Sequence, residues 1–205
     1  MKGLKQIRCA LVASTFLIGG IAQTAWADSD QINFDMVVSA GAKACLPNVH
    51  AEVTIKSNGK GDAEDMTIFA SGLPSDTDFD VFVIQVPTAP FGVSWYQGDL
   101  QSNHAGNAVQ HFRGRFNIET FSVAPGPAPA PVVFNGPFPD ATLNPPFNPI
   151  QMYHLGVWFN SPNDAKKNGC PATVTPFNGE HNAGIQVLNT SNFPNDHGPL
   201  RNLQP

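Results

Sequence analysis

Residues 151–160 read QMYHLGVWFN, an apolar run with one histidine inside it. As an extended segment it sends Met152, His154, Gly156 and Trp158 to one face and Tyr153, Leu155, Val157 and Phe159 to the other, because side chains alternate along a strand. Both faces are largely apolar, so the run reads as a central strand. A histidine there is expected to be a core residue with a hydrogen-bonded ring. The alternative, a metal ligand, needs partners, and His111 and His181 (the latter beside Glu180) are the candidates. Two or three converging neutral imidazoles would hold a divalent metal such as zinc or copper. The spacing lends this no support, since the chain has no HxH, HExxH or Cys/His cluster.

Further short β-like runs lie at 31–38, 50–57, 65–70, 79–86, 94–101, 109–117 and 183–188. Between them stand turn-forming stretches: SNGKG at 57–61, SGLPSD at 71–76 and SNHAGN at 102–107. Strands at this spacing, separated by Gly, Asn, Asp and Pro, predict an all-β protein, an antiparallel β-sandwich. One helical turn is expected over 161–168, with Ser161 as N-cap, Pro162 in the first turn and Gly169 as the stop. Residues 125–149 contain nine prolines; proline cannot donate to a sheet ladder, so this is a long proline-rich loop. Phe134, Phe138 and Phe147 in it are candidate anchors or contact residues.

The chain opens with Lys2, Lys5 and Arg8, an apolar stretch over 9–21, and Ala25-Trp26-Ala27. That order reads as a secretory signal peptide over 1–27, leaving 28–205 as one exported domain without a membrane anchor. Removing those three cations leaves eight against sixteen acids, a net charge of about −8. Such acidity disfavours nucleic acid as a partner. The expected location is the periplasm or the extracellular medium. Two cysteines remain after cleavage, Cys45 and Cys170, and in an oxidising compartment a lone pair reads as a disulfide.

GLPSDTDFDVFVIQ at 72–85, followed by GDLQSNHAGNAVQHF at 98–112, resembles the immunoglobulin-like sandwich modules of secreted bacterial proteins. Gly72-Leu73-Pro74, Thr77 and Phe79 match the corner that enters a strand; Gly98, Leu100 and Gly106-Asn107 match the following hairpin. The resemblance covers roughly residues 51–123, and Ser75 and Asp76 depart from it. It implies a module that binds, spaces or decorates, and it names no active residue.

Several constellations are candidates for chemistry. His111, Arg113 and Arg115 alternate with Phe112, Gly114 and Phe116, a cationic stripe suited to a carboxylate, phosphate or sulfated sugar. The plainer expectation is a solvated face paired with cross-strand acids such as Asp99. Asp76, Asp78 and Asp80 form DxDxD, a candidate calcium loop, although Val81 and Pro87 exclude an EF-hand. Trp95, Tyr96 and Trp158 are candidates for stacking on a carbohydrate, or for the core. No GxSxG, P-loop or dinucleotide fingerprint occurs. The expectation is therefore a non-catalytic extracytoplasmic module that binds a ligand or builds a surface or matrix. The alternatives are a metal-binding protein or enzyme using the histidines, and a carbohydrate-binding module.

Overall fold

The computed structural model describes residues 30–59, 62–122, 150–176 and 181–205. The expected signal segment over 1–27 and the proline-rich stretch over 125–149, expected to be a loop, lie outside them. The described residues are nearly all β, in antiparallel pairings throughout. Eight strands follow the order β5-β4-β9-β10-β1-β2-β3-β6, and β7 pairs with β8 separately. They are β1 (Gln31–Val38), β2 (His50–Ser57), β3 (Glu64–Ser71), β4 (Asp78–Ile84), β5 (Ser94–Gln101), β6 (Ala108–Gly114), β7 (Phe121–Ser122), β8 (Ile150–Gln151), β9 (His154–Phe159) and β10 (Gln186–Asn189).

β1 joins the two halves of the sandwich. Its residues Gln31 to Met36 pair with β2, while Val37 and Val38 pair with β10. In the first half, Ala51, Val53 and Ile55 of β2 and Met66, Ile68 and Ala70 of β3 alternate with solvent-facing residues. In the second half, Phe79, Val81 and Val83 of β4 and Leu155, Val157 and Phe159 of β9 turn inward, and all of these belong to one buried core. The outer face of the second half is covered as well. Phe82, Ile84, Trp158 and Ala183 form a smaller apolar cluster there, with Phe91 packed against it. This is why β9 is apolar on both sides.

The strands expected at 65–70, 79–86 and 109–117 run over Glu64–Ser71, Asp78–Ile84 and Ala108–Gly114, and two further expectations change more. The expected strand over 151–160 is two strands, because Met152 N–H donates to Thr120 O at 2.9 Å and takes the backbone away from the sheet between them. The strand expected at 183–188 starts at Gln186, because Ala183 instead forms a bridge with Thr175. The expected helix is present as α1 (Pro162–Lys167). Ser161 Oγ accepts from Asp164 N at 3.1 Å, and Gly169 takes φ 74° beyond the last turn. Cys45 and Cys170 form the disulfide, with Cα atoms 5.2 Å apart. At Gly106 (φ 73°) a Cβ would stand 2.3 Å from Leu73 O, so the 102–107 turn can seat on the 72–74 corner only with glycine there.

Candidate functional site

The alternation of β4 and β9 places Asp78, Asp80, Phe82 and Ile84 beside Gly156, Trp158 and Asn160 on the outer face of the second half. That face has an acidic end and an apolar end. Over the apolar end Trp158 is fully buried, edge-on to Phe82 and Phe91 at centroid distances of 5.4 and 5.0 Å. Gly156 leaves room for it, since a Cβ there would stand 2.2 Å from the indole.

A strap formed by 170–176 and 181–185 crosses this face. The Thr175–Ala183 bridge, with N···O distances of 2.9 and 3.1 Å, holds its two limbs together, and Gly184 N–H donates to Phe159 O at 2.8 Å. Between the strap, the β4–β5 loop and the turn after β1 lies a cavity of about 490 Å³. Val174 and Pro171 come from the strap, Phe91 from the loop, Gly41 from the turn, and Gln186 and Asn189 from the floor. The floor amides satisfy each other: Asn189 Nδ2 donates to Gln186 Oε1 at 2.8 Å, and Gln186 Nε2 to Pro87 O at 3.1 Å. Among the described residues, no charged side chain lines the cavity. The disulfide ties the turn after β1 to the start of the strap, and so fixes two walls relative to each other.

At the acidic end Asp80 is only 3% exposed. Burial raises its pKa from 3.8 to about 6; His181 opposes the rise, and Asp99 and Asp78 reinforce it. His181 Nε2–H donates to Asn160 Oδ1 at 2.8 Å and stands 3.9 Å from Asp80 Oδ2. Asp99, directly across from Asp80 on β5, accepts from Tyr96 Oη at 2.5 Å. A buried carboxylate held near neutrality beside an exposed imidazole can take up or release a proton, and here the imidazole also clasps the strap to the sheet.

The structure does not bring the three candidate histidines together. His154 is fully buried at the start of β9; Thr190 Oγ1 lies 2.8 Å from its Nδ1, and its Nε2–H donates to Asn195 O at 3.2 Å. His181 sits beyond the opposite end of that strand, and His111 faces Thr67 Oγ1 at 2.8 Å in the other half. Among the described residues no group of three or more His, Cys, Asp or Glu is placed to hold a metal. The DxDxD residues also part company: Asp76, at φ 49°, pairs with His104 at 3.0 Å, whereas Asp78 and Asp80 lie along β4.

The cationic stripe meets acids on β3 and just before it. Arg113 lies 3.6 Å from Asp65 and 3.9 Å from Asp62, and Arg115 lies 3.7 Å from the fully buried Glu64. Asp99, expected opposite the stripe, belongs to the other half. Of the three aromatic candidates, Trp158 offers no surface, Trp95 is half-buried and Tyr96 is 53% exposed. Sequence reasoning missed the cavity residues of 171–176, for which the PATVTP run straight after Cys170 was the available signal. It also missed Glu64 as an anchor, for which there was no signal, since its partners lie about fifty positions away.

No family model, curated protein or solved structure matches this chain.

Proposed function

We propose that the chain is an exported, non-catalytic β-sandwich module, immunoglobulin-like in its first half, that binds a small ligand in the cavity under the strap. The cavity carries the reading. Its volume of about 490 Å³ falls within the range of roughly 300–1,000 Å³ usual for small-molecule sites, which are mostly apolar with a few placed polar groups. The walls are alanine, proline, valine and phenylalanine, the polar groups are hydroxyls and amides, and no charge is present among the described residues. A charged ligand would lose its hydration without gaining a counter-charge, so the ligand is neutral and predominantly apolar.

Export is supported by the signal-like start and by the disulfide. The test uses the neutral fluorescent probe N-phenyl-1-naphthylamine on the exported chain and on a Gly41→Phe variant. Nothing lies within 4 Å of the position a Cβ would take at Gly41, so the larger side chain enters open space at the cavity wall. Saturable binding near one per chain, weakened at least tenfold by Gly41→Phe, is expected. Binding that fails to saturate, or that the variant leaves unchanged, overturns the reading.

A further inference from the structure

We infer a second, separate binding site, for one ring of a neutral saccharide, in the cleft between Trp95 on β5 and the 115–121 segment that follows β6. β5 and β6 are the end strands of the hydrogen-bonded order and lie close together, a Cβ on Gly98 standing only 2.8 Å from the Phe112 ring; the cleft lies between β5 and the chain that leaves β6. Its volume is about 260 Å³, and it is lined by Trp95, Arg115, Glu119, Thr120 and Phe121. That is below the range of roughly 300–1,000 Å³ for drug-sized ligands and suits a single ring.

The wall opposite the indole is rigid. Glu64 accepts from Phe116 N at 2.6 Å and from Asn117 Nδ2 at 2.8 Å. Thr120 Oγ1 accepts from Asn117 N at 2.9 Å and donates to Arg115 O at 3.2 Å. Ile118 N–H donates to Leu203 O at 3.0 Å, and Tyr153 Oη to Ile118 O at 2.8 Å. Trp95 is fixed too: it packs against the main core, and its Nε1–H donates to Gln97 Oε1 at 3.3 Å. A site built of ordered groups loses little freedom on binding.

The chemistry of the lining selects the ligand. A sugar ring has an apolar C–H face and a polar rim of hydroxyls, matching an indole wall opposed by a guanidinium fork and a carboxylate. An anion is disfavoured, because Arg115 already lies 3.7 Å from the buried Glu64 and a second carboxylate, Glu119, lines the same cleft. The site therefore carries no net positive charge for a phosphate, a sulfate or a free carboxylate.

The experiment titrates the exported chain with cellohexaose, chitohexaose, xylohexaose and mannohexaose, followed by calorimetry and tryptophan emission. At least one should bind saturably and shift the emission, while N-phenyl-1-naphthylamine bound under the strap is not displaced. Trp95→Ala and, separately, Glu119→Gln should each weaken that binding roughly tenfold or more. Glu119→Gln keeps the shape of the side chain, so it tests the contact even if Trp95→Ala disturbs the fold. No binding of any of the four at millimolar concentration, or binding that Glu119→Gln leaves unchanged, overturns the inference. Displacement of the naphthylamine by the saccharide places it under the strap and overturns it as well.

Discussion

His154 is neutral in the folded chain because burial opposes its charged form and lowers its pKa from 6.5 to about 4, outweighing the hydrogen bonds around it. The unfolded chain therefore takes up a proton that the folded chain refuses, and stability is lost as pH falls from about 6.5 through about 4, by roughly 3 kcal/mol. Asp80 acts in the opposite sense. Its folded pKa of about 6 exceeds the ordinary 3.8, so the folded chain holds the extra proton and stability is lost as pH rises from about 4 through about 6, again by roughly 3 kcal/mol. The two slopes oppose each other, and we predict that their contributions nearly cancel between about pH 4 and 6.5. Asp80→Asn should raise the urea midpoint at pH 8, leave it little changed at pH 4, and unmask acid destabilisation from His154. His154→Gln, which can still donate to Asn195 O and accept from Thr190 Oγ1, should unmask the reverse slope. Parallel pH profiles for the wild type and both variants would refute the assignment. A carboxylate that destabilises its own fold at neutral pH is the kind of group that functional sites retain.

At the scale of the elements, Glu64 closes the far end of β6. It is the first residue of β3, fully buried, and its two oxygens collect Phe116 N–H, Asn117 Nδ2 and the charge of Arg115. Glu64→Gln removes the charge, replaces one accepting oxygen with an NH2 group that cannot accept, and takes away the carboxylate beside Arg115. The expected cost is about 2–3 kcal/mol in urea unfolding. The same variant should lose the saccharide cleft before it loses the cavity under the strap, because only the former depends on the 115–121 turn. Equal loss at both sites would show that the turn does not act locally. The strands themselves were legible from alternation: those predicted at 31–38, 50–57 and 94–101 carry the observed bounds. The split of 151–160 was not, because a main-chain hydrogen bond to Thr120 decides it and leaves no mark on hydrophobic pattern.

Across the whole molecule, the Cys45–Cys170 bridge closes a loop of 125 positions. Chain entropy sets an expectation of about 2–5 kcal/mol for its removal. The paired Cys45→Ser, Cys170→Ser variant should therefore unfold at lower urea and, where it still folds, bind N-phenyl-1-naphthylamine more weakly, since the turn after β1 and the strap are no longer tied. Unchanged probe affinity in a folded variant would show that the strap is positioned by the Thr175–Ala183 bridge and the His181 clasp alone.

By itself the sequence determined the all-β class, the disulfide partners, the capped helix and the burial of both faces of β9, because each follows from local periodicity, a turn residue or parity of cysteines. Only the tertiary structure decided what each polar residue does. His154 and His181 stand at opposite ends of one strand, Arg113 and Arg115 meet acids of β3, and Trp95 and Glu119 line the same cleft. Those partnerships depend on which strands the chain lays side by side. A strand's pattern records which of its faces is buried, but not the residue that waits on the other side.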